Sequence, residues 1–144
     1  MVVHGLAHAL AALALAGPAG VLLLSAPDAA ARAGAGWFLA LVRLARAAHP
    51  AWPCDAALDC GAQAGLALGA IRAGAEIVIL SRVCPAFGAV ASAASEAGVT
   101  LWDSRPAALD LADHDPRSRD ANKKLADWLS AIGSPRDAGM PPPR

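Results

Sequence analysis

Three polar side chains follow apolar runs of strand length in this sequence. Ser25 follows the run VLLL, Asp59 follows CDAAL, and Ser81 follows IVIL. If these runs are parallel strands, their carboxyl ends share one edge of the sheet, where such sheets hold their functional side chains. At that edge the Asp59 carboxylate is a candidate catalytic acid or base. The hydroxyls of Ser25 and Ser81 are candidate substrate-binding groups.

Two of these residues also have a purely structural explanation. The Asp59 carboxylate is suited to cap a helix that begins near Ala62, because its oxygens accept hydrogen bonds from the free N–H groups of a first turn. The Ser25 hydroxyl is suited to bond neighbouring backbone in a turn. Caps and turns are common where a strand meets a helix, so the sequence favours the structural explanation for both residues.

The cysteines and histidines form no complete metal-binding motif. Cys54, Cys60 and Cys84 are an odd number without CxxC spacing, which argues against a disulfide framework or a zinc ribbon and fits a reducing compartment. His4 and His8 have the i, i+4 spacing that zinc uses on a helix, but no Glu accompanies them and His4 precedes the predicted helix. We therefore predict a polar contact for His4 and His8, and no metal site.

Apolar runs of strand length alternate with helix-length segments along the chain. This alternation predicts βαβ units and a parallel sheet, because the strands are apolar throughout, as expected where both faces are covered. The predicted strands are 2–3, 21–24, 54–58, 77–80 and 99–102, and the predicted helices are 6–16, 37–48, 62–72, 87–97 and 122–132. The pattern leaves open whether the strand order is sequential or doubly wound. No GxGxxG or P-loop motif supports nucleotide binding.

The composition fits one folded domain with no nucleic-acid and no membrane partner. The 144 residues carry 12 basic and 12 acidic side chains, so the charge balance gives no electrostatic case for nucleic-acid binding. The segment 1–31 lacks Lys and Arg, and Gly17-Pro18 interrupts its apolar stretch, which argues against a signal peptide or a membrane span. We predict a cytoplasmic protein with a βα domain at 1–108, a linker and C-terminal helix at 109–132, and a disordered tail at 133–144.

Five consecutive segments of the chain carry a likeness to a known family. They are VLLLSAPDAAARAGAG (21–36), WFLALVRLARAAHP (37–50), AALDCG (56–61), AIRAGAEIVIL (70–80) and SRVCPAF (81–87). AALDCG is similar to HLDHG, AIRAGAEIVIL is similar to AIRAGFTSVMI, and SRVCPAF lies where the family has DGSHLPF. In order and spacing, the stretch from Val3 to Leu101 resembles the N-terminal part of class II fructose-bisphosphate aldolases and their tagatose-type relatives.

The resemblance implies a TIM barrel with its chemistry at the carboxyl ends of the strands, of which this chain supplies about five βα units where a complete barrel has eight. It implies an acid/base role for Asp59 and a position near the substrate for Ser25. Cys60 stands where the family has a zinc-binding histidine, and Cys84 where some members have one. The family draws its other zinc ligands from later strands, and Asp103 is the one carboxylate near the fifth strand. The sequence alone therefore cannot complete a zinc site.

The resemblance predicts a non-catalytic aldolase-like protein with an assembly, regulatory or ligand-binding role in sugar-phosphate metabolism. The alternative is a zinc-dependent aldehyde lyase acting on a phosphosugar, with its site completed by a second chain. The expected partners are a second copy of the chain or an aldolase-type chain, and the expected ligand is a phosphosugar. Because a partial barrel leaves strand edges exposed, we expect residues 109–132 to cover an edge or to mediate a homodimer.

Overall fold

The computed structural model describes residues 1–131, in which strands and helices alternate. The strands are β1 (Val2–Val3), β2 (Val21–Ser25), β3 (Cys54–Asp59), β4 (Ile77–Ile79) and β5 (Thr100–Trp102). The helices are α1 (Leu6–Ala16), α2 (Ala29–Arg32), α3 (Gly34–Ala48), α4 (Ala64–Arg72), α5 (Phe87–Glu96) and α6 (Arg119–Ala131). Within this range no helix has both the length and the hydropathy that crossing a bilayer requires. The predicted tail at 133–144 lies outside the described residues.

The five strands form one parallel sheet whose order follows the chain, β1-β2-β3-β4-β5. The predicted α/β class is therefore confirmed, with a five-stranded parallel sheet and a C-terminal helix. A sequential order is that of a TIM barrel, whereas a doubly wound sheet reverses its order at a switch point. The register pairs Asp59 with Ile79 and Ile79 with Trp102, so β3, β4 and β5 end at one level. Side chains that follow these strands therefore start from the same edge.

Apart from end shifts of one residue, the structure differs from the predicted elements at several places. Helix α3 begins three residues earlier than predicted. Helix α4 begins at Ala64 rather than at Ala62, because a turn through Gly61, whose φ is +58°, separates it from β3. The sequence pattern does not predict α2, a single turn formed by the alanines after Asp28. Helix α6 begins at Arg119, within the segment expected to be irregular.

The described residues divide into two compact units. The first unit consists of residues 1–23, 41–55 and 106–131, and the second of residues 24–40 and 56–105. In the first unit α1 packs against β1 and α6, and in the second α4 packs against α2, β4 and α5. Each unit buries its own large apolar side chains, among them Leu13, Leu111 and Leu125 in the first and Leu58, Val78, Leu80 and Val90 in the second. A domain boundary at residue 108 stays a prediction.

The edge of β1 is covered by the chain that precedes α6. The Val2 N–H donates to the Leu109 carbonyl at 2.8 Å, and the Leu111 N–H donates to the Val2 carbonyl at 3.1 Å. Val2 and Asp110 thereby form a parallel bridge. Of the two roles expected for the C-terminal segment, edge covering is confirmed at β1, and a role in a homodimer stays a prediction.

Gly20 makes the entry into β2 sterically feasible. Its φ is +76°, and a Cβ at this position would lie 2.7 Å from both the Cβ and the carbonyl oxygen of Pro53. The same carbonyl accepts the Val21 N–H at 3.1 Å, which fixes the close approach. Only glycine adopts this positive φ without strain and also lacks the Cβ that would overlap Pro53.

We predict that Gly20→Ala destabilises the protein more than Gly98→Ala. Gly98 also has a positive φ, +69°, but open space surrounds its Cβ position. The Gly98 substitution should therefore cost about 1 kcal/mol of backbone strain. The Gly20 substitution should cost about 3 kcal/mol, because it adds the overlap with Pro53. Urea unfolding of the two variants measures the difference, and equal losses would contradict the close approach.

Candidate functional site

The Asp59 carboxylate is buried at the end of β3 and accepts hydrogen bonds through both oxygens. Oδ1 accepts the Gly61 N–H at 2.8 Å and the Asp28 N–H at 3.0 Å. Oδ2 accepts Arg105 Nη1 at 2.5 Å. The residue is 4% exposed, so these donors replace water almost completely. A buried carboxylate needs such compensation, because an unpaired charge in the interior is strongly destabilising.

Arg105 joins two strand ends through one guanidinium. It lies in the loop after β5, and its side chain is 26% exposed. While Nη1 bonds Asp59, Nη2 donates to the Ser25 carbonyl oxygen at 2.8 Å. The planar, always charged guanidinium suits this double role, since its donors point in fixed directions. The ends of β2 and β3 and the loop after β5 are thereby held together.

Ser25 completes the arrangement through its side chain. Its hydroxyl accepts the Asp59 N–H at 2.9 Å and donates to the Ala26 carbonyl at 3.1 Å. The residue is fully buried, and its hydroxyl is engaged as both donor and acceptor. The bond to the Ala26 carbonyl is the local backbone bond that the sequence predicts for Ser25. The sequence does not predict the second bond, which joins Ser25 to the distant Asp59. We refer to Asp59, Arg105, Ser25, Asp28 and Gly61 as the Asp59 cluster.

Two backbone conformations aim the N–H groups at Asp59. Gly61 has a φ of +58°, and a Cβ there would lie 1.9 Å from Asp28 Oδ1. Asp28 has a φ of +54° and is the one non-glycine residue with positive φ among those described. Its carbonyl accepts the N–H groups of Ala31 and Arg32, at the start of α2. Positive φ is unfavourable for a residue with a side chain, so the bond from the Asp28 N–H to the carboxylate helps to offset local strain.

The interpretation of Asp59 as a helix cap is wrong. The residue that precedes α4 is Gln63, and no side chain caps this helix. Asp59 instead bonds the N–H two residues ahead, which is an Asx turn, and reaches back to the loop after β2. The physical reason is the turn through Gly61, which places the first turn of α4 beyond the Asp59 side chain.

Ser81 lies on the neighbouring loop, after β4, and contacts the loop after β3 through its backbone rather than its side chain. Its N–H donates to the Gly61 carbonyl at 2.7 Å, so the loops after β3 and β4 are linked. Its half-buried hydroxyl accepts the Val83 N–H at 3.5 Å, a local and long contact. The structure thus brings Ser25 and Asp59 together, whereas the Ser81 hydroxyl has no hydrogen bond to the Asp59 cluster among the residues described.

Cys60 is a buried thiol whose environment opposes ionisation. Burial, and to a lesser degree the charge of Asp59, raise the pKa of the Cys60 thiol to about 12. Zinc binds the thiolate form, so this residue is a poor ligand at neutral pH. Cys54 and Cys84 are also free and buried. Within residues 1–131 there is no group of three or more His, Cys, Asp or Glu side chains suited to hold a metal ion.

The carboxylate near the fifth strand, Asp103, lies outside the cluster. It pairs with Arg82 at 2.5 Å, and both side chains are substantially exposed. The Arg82 guanidinium also lies 5.6 Å from the centre of the Phe87 ring. Arg105, two residues further along, is the group that sequence reasoning missed. The available signal was physical, because a buried carboxylate such as Asp59 needs hydrogen-bond donors or a cation to compensate its charge.

His4 and His8 form the polar contact that their spacing suggested. His4 is exposed in the loop before α1, and its Nε2 lies 2.6 Å from Asp110 Oδ1. The His4 backbone N–H donates to His8 Nδ1 at 3.3 Å. Because this bond occupies Nδ1, His8 does not present that nitrogen to a metal ion. The His8 ring therefore hydrogen-bonds the backbone of the loop that precedes α1.

In comparisons with known proteins, no protein-family model and no curated protein matches this chain. The aldolase resemblance is therefore a hypothesis carried by the five segments quoted above. The geometry of the Asp59 cluster stands independently of that hypothesis.

We predict that Asp59→Asn destabilises the fold by about 3 kcal/mol, because it leaves the partly buried Arg105 guanidinium without its counter-charge. The matched control is Asp103→Asn, which removes an exposed ion pair and should cost less than about 1 kcal/mol. Urea unfolding provides both values.

A double-mutant cycle with Arg105→Met separates the interaction energy of the Asp59–Arg105 pair from the other losses of stability in each variant. The double variant Asp59→Asn/Arg105→Met should be less destabilised than the sum of the two single variants by about 1 kcal/mol or more. Strict additivity would show that the two side chains do not depend on each other.

Proposed function

We propose that this chain is a non-catalytic protein resembling class II aldolases, with an assembly, regulatory or ligand-binding role in sugar-phosphate metabolism. The observation that carries the proposal is the saturation of the Asp59 carboxylate by Arg105, Gly61 and Asp28. An acid or base in an aldol step exchanges a proton with the substrate through an accessible oxygen. Here both oxygens are buried and bonded, so the geometry favours a structural role for Asp59.

The zinc-dependent lyase alternative has weaker support from the residues present. Cys60, which stands in the place of a zinc-binding histidine in the resemblance, has a thiol with a pKa of about 12. Zinc binding has to displace the thiol proton, and the raised pKa makes that displacement more costly. Among the described residues no group of three or more possible metal ligands includes Cys60, so a second chain would have to supply the missing ligands.

In a ligand-binding role, a phosphosugar would bind a cationic side chain outside the Asp59 cluster. Arg82 follows β4 and its side chain is 63% exposed, and its partner Asp103 is also exposed. Exposed ion pairs contribute little stability, so a sugar phosphate competes with Asp103 for Arg82 at small cost. Guanidinium groups suit phosphate because their donors match its oxygens in pairs. The phosphate of a phosphosugar is the part of the ligand that Arg82 would recognise.

We predict that sugar phosphates raise the thermal unfolding midpoint, because a ligand that binds only the folded state stabilises it, by about 2.7 kcal/mol at a hundredfold excess over Kd. Arg82→Gln should abolish the rise. Arg72→Gln is the matched control, since Arg72 is an exposed arginine in the last turn of α4 in the same unit. Differential scanning fluorimetry with fructose 1,6-bisphosphate and with unphosphorylated fructose measures the effect.

The proposal excludes turnover, which a direct assay tests. The purified protein, supplied with zinc and fructose 1,6-bisphosphate, should form no triose phosphate. Cleavage that Asp59→Asn abolishes would contradict the proposal and favour the lyase. If no phosphosugar shifts the midpoint, a homodimeric assembly role predicts a dimer in sedimentation, and a monomer without a ligand response would contradict both the homodimer and the ligand-binding role.

A further inference from the structure

Strand β5 forms an edge of the sheet that no other strand covers in the described part of the chain. The sheet order places β1 and β5 at the two edges, and residues 109–111 cover β1. β5 pairs with β4 on one side. There the Thr100 N–H donates to the Glu76 carbonyl at 2.9 Å, and the Leu80 N–H donates to the Trp102 carbonyl at 2.9 Å. Between residues 1 and 131 no strand pairs with the other side of β5.

The backbone of Leu101 faces this open side. Successive residues of a strand direct their backbone groups to alternate sides, and Thr100 and Trp102 both bond β4. The Leu101 N–H and carbonyl therefore point away from β4. No backbone hydrogen bond from a loop or turn within the described range reaches either group. An N–H and a carbonyl left unpaired at an edge are a template for another strand.

The composition of β5 does little to protect the edge. Protein edges are commonly blunted by charged residues, by proline or by a covering segment. Residues 99–102, VTLW, contain no charge and no proline. Thr100 is exposed and Leu101 is half-buried, whereas β2 inside the sheet is buried throughout. The chain after β5 turns back over the sheet, because Arg105 bonds the ends of β2 and β3. The short length of β5 is its remaining protection.

Two β5 strands match each other when they run antiparallel about Leu101. A two-fold axis then places Leu101 opposite Leu101 of the second copy, and each N–H donates to the carbonyl of the other. Thr100 lies beside Trp102 of the second copy, and pairs of aromatic and β-branched residues stabilise sheets. No like charges face each other, because the adjacent carboxylate, Asp103, pairs with Arg82 of its own chain. This match of an uncharged strand with itself favours a second copy as the partner.

Helix α5 lets a second copy approach this edge. The helix packs against β5, and both belong to the same compact unit. A two-fold axis that joins two sheets edge to edge is perpendicular to them, so α5 of both copies lies on the same face. The exposed residues of α5 are small and uncharged except for Glu96 at its end, namely Gly88, Ala89, Ser92 and Ser95. Two such helices come close without burying a charge.

We propose that β5 pairs antiparallel with β5 of a second copy, so that the two sheets become one continuous sheet. This inference rests on the assembly role proposed above, and it names the partner and the surface for that role. The contact is small, so the dimer is weak and forms at high protein concentration. The surface is the backbone of Leu101 with the side chains beside it.

Sedimentation equilibrium of the full chain tests for the dimer, at protein concentrations from about 10 μM to about 1 mM, where small interfaces form and dissociate. The original chain should change from monomer to dimer across this range. A monomer at every concentration would overturn the inference, and the thermal midpoint with sugar phosphates would then decide the ligand-binding role separately. A dimer that leaves the Leu101 amide unprotected would overturn this surface and keep the assembly role.

Hydrogen exchange locates the contact in the original chain without any variant. The Leu101 amide should be unprotected in dilute solution and protected by at least about tenfold at the highest concentration. The Leu80 amide, which is bonded to the Trp102 carbonyl, is the internal reference and should not change. Protection of Leu101 at every concentration would show that the chain covers its own edge, and it would overturn the proposal.

Two oppositely charged variants test the two-fold axis at Leu101. Leu101→Lys alone and Leu101→Glu alone place like charges opposite each other, so each should raise the dimer Kd by at least about tenfold. An equimolar mixture of the two should dimerise again, because opposite charges then face each other. Ala31→Lys is the matched control, since it adds the same charge at an exposed position of α2, and its Kd should be that of the original chain. Folded variants whose mixture stays monomeric, or a Leu101→Lys variant that dimerises normally, would contradict the assignment.

Discussion

A carboxylate that is buried on folding needs hydrogen-bond donors for both of its oxygens. In this chain that requirement determines how one end of the sheet is arranged. Asp59 ends β3 and is 4% exposed. It obtains its donors from the loop after β2, from its own turn, and from Arg105 after β5. The positive φ of Gly61, the unusual conformation of Asp28 and the position of Arg105 all follow from this single need. Removing either charge would leave the other uncompensated.

The same arrangement is the basis of the proposal that this chain differs from the aldolases in function. A catalytic acid or base has to be reached by substrate, whereas the Asp59 oxygens are bonded to backbone and to a guanidinium. Burial raises the pKa of the neighbouring Cys60 thiol to about 12, which makes loss of its proton to a zinc ion more costly. The side chains at these strand ends therefore favour a structural role, whichever family the fold comes from.

The fold was largely predictable, because its signals are local. Apolar runs such as IVIL and helices ended by glycine fixed most elements, and the rule that parallel strands end at one edge brought Ser25 next to Asp59. Arg105 was not predictable in this way, since it lies in a loop where no periodicity relates it to β3. The helix-cap interpretation of Asp59 failed because it assumed a short connection, whereas Gly61 inserts a turn. His114 lies in an irregular segment, so its approach to His8 depends on tertiary packing alone.

The most direct test of the structural role of Asp59 is a crystal structure of the protein grown at neutral pH with fructose 1,6-bisphosphate and zinc. The account predicts that the Asp59 oxygens remain bonded to Arg105, Gly61 and Asp28, with neither substrate nor metal in contact with them. An Asp59 carboxylate turned away from Arg105, with an oxygen about 2.0–2.2 Å from a zinc ion or bonded to the sugar, would contradict it.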